Sequence, residues 1–191
     1  MNLREHGQLL EDKREEITAW MKQKRAEVPI PIYGSVDVRD AGWKIGVVDA
    51  NHFPAGFNNV SKENLQELAN LFQDHVHRSH PACKWVHIYP ESHTRNPGYV
   101  ENIASIKSMI EQAGFSCTVG SPDLNEFAAL NGLSGPLLLQ SVQVDEAGEL
   151  LVNGKHPDLI LLNNDLTEGT VPGVQSTNIT PPPHMGWFRR R

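Results

Sequence analysis

The chain has 191 residues, of which 39% are hydrophobic and 21% charged, and it carries a formal net charge of −6. This composition supports a buried core and excludes a chain disordered by composition. The acidic balance argues against nucleic acid or an anionic membrane as partner, since both call for clustered Lys and Arg, and the one basic run is the terminal Arg189-Arg190-Arg191.

No apolar stretch approaches the roughly 20 residues that span a bilayer, and the segment from Met1 to Gln23 lacks the apolar centre of a signal peptide. Cys83 and Cys117 lie far apart without paired spacing, which suits two ordinary thiols in a reducing cytosol better than a disulfide framework or a zinc site.

Leu10, Ile17 and Met21 recur at helical spacing beside Trp20, predicting one amphipathic helix from Leu3 to Arg25 that docks by one face and ends before Pro29 and Pro31. Trp43 to Asp49 reads as a strand, and Ala50 to Val60 as a loop rich in Pro, Gly and Asn. Ser61 suits the N-cap of a helix whose apolar face is Leu65, Leu68, Phe72 and Val76. Lys84 to Tyr89 is a second strand. Asn96 then caps a helix with Pro97 at its first position, where the missing N–H costs nothing. That helix buries Tyr99, Ile103, Ile106 and Ile110, leaves at Gly114, and leads into a strand over Phe115 to Val119.

Strand–helix–strand–helix–strand predicts an α/β fold with a Rossmann-like, mostly parallel sheet flanked by helices. A β-hairpin is expected from Leu137–Val144 and Leu150–Val152, and a strand buried on both faces from Asp158 to Asn163. Thr167 to His184 reads as a loop. The expected organisation is a docking helix over residues 1–30, an α/β domain over 31–166 and a connector over 167–191.

Ligands of open α/β sheets bind beyond the carboxyl ends of the strands, and three polar clusters fall there. In the first, Asp49 offers a carboxylate for an ammonium group, while Asn51, Asn58 and Asn59 offer amides for carboxylate or carbonyl oxygens. The competing reading is a turn that caps the next helix. The second, Glu91-Ser92-His93-Thr94-Arg95-Asn96, precedes a helix N-terminus. There Glu91, His93, Thr94, Arg95 and Asn96 are candidates around an anion, against the alternative of a capped loop with Glu91 and Arg95 paired. The third is Asn163-Asn164-Asp165, where a turn competes with binding. Asp165 with Glu168 is a weak magnesium signal. His75, His77 and His80 read as a solvated helix end. No G-x-G-x-x-G, G-x-S-x-G, H-E-x-x-H or P-loop occurs. The residues thus point to a small polar ligand at the top of an α/β sheet.

The same clusters carry a resemblance. The stretches from Pro31 to Lys44 and from Val48 to Asn59, together with Glu91–Asn96, Leu162–Asp165 and Ile179–Trp187, resemble the glutamate–cysteine ligase family of proteobacteria. The resemblance runs along almost the whole chain, and Phe53-Pro54-Ala55-Gly56-Phe57-Asn58-Asn59 is its most specific string. The family is similar to ATP-grasp ligases, and its members are much longer than this chain. The resemblance implies that ATP phosphorylates the side-chain carboxyl of L-glutamate and that the amine of L-cysteine attacks the acyl phosphate, giving γ-glutamylcysteine, ADP and phosphate. It implies ATP and Mg2+ as cofactors, bound mostly by a later domain, with this chain supplying substrate contacts from the first two clusters and inactive alone. The competing expectations are a stand-alone module that binds an amino acid or peptide, and a docking domain that uses Leu10, Ile17 and Met21. Self-association into a homo-oligomer stays open.

Overall fold

A computed structural model describes residues 2–28, 30–92, 96–173 and 175–186. His93, Thr94 and Arg95 of the second cluster, Pro29, and the terminal Trp187 and arginines lie outside the described residues. The chain divides into two compact units, Met1–Asn51 and His52–Arg191.

The first unit opens with two helices where the spacing predicts one: α1 (Leu3–Asp12) and α2 (Arg14–Glu27). Asn2 starts α1 through a capping box, accepting from the Glu5 N–H at 2.9 Å while the Glu5 carboxylate accepts the Asn2 N–H at 3.0 Å. The break falls at Lys13, whose φ of −102° and ψ of 12° leave helical geometry. On the expected docking face Leu10, Ile17, Trp20 and Met21 are all exposed.

Strands β1 (Ser35–Asp40) and β2 (Ile45–Asn51) form an antiparallel hairpin with a register shift after Asp37. The expected strand over Trp43–Asp49 therefore exists as β2 but does not join the parallel sheet. Paired residues share a face. One face of the hairpin carries Val36, Val38, Ile45 and Val47, all exposed, and the other carries Asp37 opposite Asp49 with Arg39 beyond.

The second unit holds the core. After the loop 52–60 come α3 (Lys62–Ser79), β3 (Trp85–Pro90), α4 (Pro97–Gln112) and β4 (Ser116–Val119). Two small hairpins follow, β5 (Ala129–Asn131) with β6 (Pro136–Leu138), and β7 (Val142–Val144) with β8 (Leu150–Val152). The chain returns through β9 (Leu159–Asn163) and β10 (Ile179–Thr180). The sheet order is β10-β9-β3-β4, and every pairing is parallel.

The alternation of β3 sets the layers. Val86 and Ile88 lie on one face of the sheet, and Trp85, His87 and Tyr89 on the other. Helix α4 packs on β3 and β4, with α3 against α4. Ile103, Ile106 and Ile110 of α4 and Phe72 and Val76 of α3 are buried; each such side chain contributes roughly 1.5–3 kcal/mol. On the other face Tyr89, Ile160 and Leu162 meet Val142, Leu150 and Val152 of the β7–β8 hairpin. Asp158 fixes the entry to β3, its carboxylate accepting the Lys84 and Trp85 N–H groups at 2.8 and 2.9 Å.

Two further expectations change. The apolar run Leu137–Val144 is split between β6 and β7, because the Leu139 N–H turns to Ala128 O and the Gln140 N–H to Val119 O. The stretch expected as loop after Thr167 also packs. Ile179–Thr180 add an edge strand to β9, and the Ser176 hydroxyl accepts the Leu150 N–H at 3.0 Å.

Candidate functional site

The parallel strands end at one edge, where Pro90 of β3 stands beside Asn163 of β9. Tyr99, in the first turn of α4, ties the two chains just beyond that pair. Its hydroxyl accepts the Glu91 N–H at 2.8 Å and donates to the Asn163 carbonyl at 2.9 Å. The buried Asn163 carboxamide reaches across to the loop 52–60, where Nδ2 donates to Pro54 O at 3.0 Å. From α4, Asn102 Oδ1 accepts the Phe57 N–H of the same loop at 2.9 Å. Gly56 permits this path with a φ of 94°, a region that favours glycine. Three side chains thus bring Glu91, Asn163 and the loop 53–59 to a single edge of the sheet.

The remaining predicted residues divide by role. Asn58 and Asn59 sit exposed in the 3-10 turn Phe57–Asn59. Asn96 caps α4, its Oδ1 accepting from Gly98 and Tyr99 N–H at 3.0 and 3.3 Å, as expected from the sequence. Asn164 Oδ1 accepts the Leu166 N–H at 2.9 Å, and Asp165 Oδ1 accepts the N–H and hydroxyl of Thr167 at 2.9 and 2.5 Å. These bonds hold Leu166 at a φ of 58° although it is a buried, bulky residue. Strain of this kind persists only where the surroundings over-determine it, and it concentrates at functional sites. Asp49 and Asn51 belong to β2 in the first unit.

Asp165 Oδ1 is taken by Thr167, and among the described residues no group of three or more His, Cys, Asp or Glu is placed to hold a metal ion. His77 packs edge-on against Phe115 with ring centroids 5.6 Å apart, and burial lowers the pKa of His75. Burial pushes the Cys83 thiol up to about 11, helped by Asp158, and the Cys117 thiol up to about 12, so neither is a thiolate nucleophile at neutral pH. Among the described residues no helix is long and apolar enough to cross a membrane.

Below the edge runs a buried polar chain that the sequence reading missed. Trp85 Nε1 lies 2.8 Å from Thr118 Oγ1, which lies 2.9 Å from His87 Nδ1, and His87 Nε2 lies 3.0 Å from Gly120 O. An indole N–H only donates and a carbonyl only accepts, so the Trp85 and Gly120 ends of the chain are fixed. Trp85 donates to Thr118, and Nε2–H donates to Gly120. Burial holds the His87 pKa down at about 4, so the ring is neutral at pH 7 and its Nδ1 accepts from the Thr118 hydroxyl. The available signal was register alone, a His and a Thr facing the same way on neighbouring strands.

Gly120 closes this chain in a space that admits no side chain. A Cβ there would lie 2.5 Å from Gln140 O and 2.9 Å from Val142 Cγ2. Since the first neighbour is backbone, Gly120→Ala is expected to cost about 2 kcal/mol, read as a lower urea midpoint with an unchanged denaturant slope. An unchanged midpoint would show that the β7–β8 hairpin yields freely.

With this geometry in view, the comparisons are specific. A family model described as glutamate-cysteine ligase, GshA, matches residues 7–191. The chain is also similar to a crystal structure from Methylobacillus flagellatus KT provisionally assigned as a gamma-glutamylcysteine synthetase, with 34% sequence identity and a TM-score of 0.84. That match covers 95% of this chain and 44% of the solved one, so the chain spans less than half the length of the structure it resembles. No curated protein matches.

Proposed function

Because the chain belongs to the glutamate–cysteine ligase family, we propose that it is the substrate-side part of an ATP-dependent ligase that joins L-glutamate to L-cysteine. The family match over residues 7–191 carries this reading. The gathering of Glu91, Asn163 and the loop 53–59 beyond a parallel sheet, where α/β folds place their ligands, supports it. In this reading the chain's contribution is alignment. Asn58, Asn59 and the Glu91–Asn96 segment hold the carboxylates of the amino acids. Asp49, with Asp37 opposite it on the same face of the hairpin in the first unit, is a separate candidate for an ammonium group. Holding two reactants in register removes much of the entropic barrier to amide formation.

ATP and magnesium belong, in this proposal, to an ATP-grasp-like part of the longer family members. ATP supplies the phosphoryl group that activates the glutamate side chain. In this reading the chain alone turns nothing over.

The test is phosphate release from ATP by a longer protein carrying this amino-terminal part. Release is expected only when L-glutamate and L-cysteine are both present, and Asp49→Ala combined with Arg95→Ala is expected to cut the rate by about tenfold or more. A double variant that keeps the full rate would remove both residues from the substrate site.

A further inference from the structure

Asn102 sits on the buried face of α4, between Tyr99 and Ile103, and is 1% exposed. A polar side chain there interrupts an otherwise apolar surface, so its carboxamide needs partners. One half has them. The Phe57 N–H, a donor, faces Asn102 at 2.9 Å, so the atom that meets it is the carbonyl oxygen. This fixes the orientation of the amide, because a flip would set two donors against each other. Nδ2 is thereby left buried with no hydrogen-bond partner among the described residues. A buried donor left unpaired carries its full desolvation cost.

Tyr89 Oη and Ser121 Oγ are also buried and unpartnered, but Asn102 is the residue whose other amide atom already holds the loop 53–59. That loop is the one Asn163 anchors at Pro54 O, so two asparagines grip it from different elements at two of its backbone groups. The carboxamide that holds Phe57, next to the exposed Asn58 and Asn59, thus carries a buried donor with no partner of its own among the described residues.

We infer that Asn102 is a positioning residue of the amino-acid site, and that its Nδ2 is completed by an acceptor oxygen, carboxylate or carbonyl, brought in with the ligand. This rests on the substrate-side reading above and deepens it by naming a residue and the ligand atom it takes. The chemistry selects an oxygen acceptor. A ligand presenting only an ammonium group leaves the donor unpaired.

The experiment is 15N–1H spectroscopy of the 191-residue chain, assigned in the unsubstituted protein, with L-glutamate added stepwise. The two Asn102 side-chain N–H signals are expected to move downfield together as glutamate saturates, with the loop amides of residues 53–59 following the same curve. Asn102→Asp keeps an oxygen for the Phe57 N–H but loses the donor. It is expected to leave the Phe57 amide protected from exchange and to weaken glutamate binding by about tenfold or more. Loop signals that move while the Asn102 side chain stays fixed would overturn the inference and leave the substrate-side reading in place. Spectra in which glutamate moves no signal would defeat the substrate-side reading, and the inference with it. The unsubstituted spectra decide both points even where Asn102→Asp does not fold.

Discussion

Acidification from pH 6.5 to pH 4 is expected to strip about 3 kcal/mol of stability from the sheet-bearing unit through one histidine. His87 is fully buried and neutral, and its pKa lies near 4 against the usual 6.5. Between these values the unfolded chain binds a proton that the folded chain refuses, so stability rises with pH across the window. The contribution is fully present above about 6.5 and lost as pH falls toward 4. The refusal follows from burial, which strips the imidazolium of hydration. The Nε2–H bond to Gly120 O favours the charged ring and offsets only part of that cost. Urea unfolding at pH 7, 5.5 and 4.5 measures the effect. His87→Gln, which keeps polar atoms but does not titrate, is expected to flatten much of the pH dependence. A variant as acid-sensitive as the parent would assign the loss to carboxylates instead.

Tyr99→Phe is expected to cost about 2–4 kcal/mol, because one hydroxyl serves two chains at once. Its removal takes one hydrogen bond from the Glu91 N–H and one from the Asn163 carbonyl, both in partly buried positions at the sheet edge. For a chain of this length that loss lowers the melting temperature by roughly 5–15 °C. The same hydroxyl joins the second and third polar clusters, so glutamate affinity is expected to fall as well. A substitution that changes neither melting temperature nor affinity would mean water replaces the hydroxyl without loss.

The elements that were legible in the sequence are those whose signals are local. Ser61 and Asn96 cap the helices they were expected to cap, and Phe72, Val76, Ile103, Ile106 and Ile110 face the core at helical spacing. The apolar run Leu159–Asn163 is buried throughout, as its composition implies. What escaped depends on pairing at a distance. Ile45–Val48 reads as a buried strand by composition, yet β2 finds its partner in Ser35–Asp40, a segment with Asp and Arg in alternation. Lys13 ends α1 with neither proline nor glycine to announce it. At the site, Asn163 was legible as a polar residue closing a buried strand, but its role in gripping Pro54, more than a hundred residues earlier, was not. Asn102 left a readable signal: an asparagine three residues after Tyr99, on the helix face that Ile103, Ile106 and Ile110 bury.

The most direct test of the substrate-side reading is titration calorimetry of the 191-residue chain with L-glutamate, and separately with L-cysteine, in the absence of ATP. Saturable heat with at least one of them, reduced by Asn163→Ala, is the predicted result. No heat with either, from a chain whose folding is confirmed by a cooperative melt, would contradict the placement of the substrate contacts on this part of the ligase.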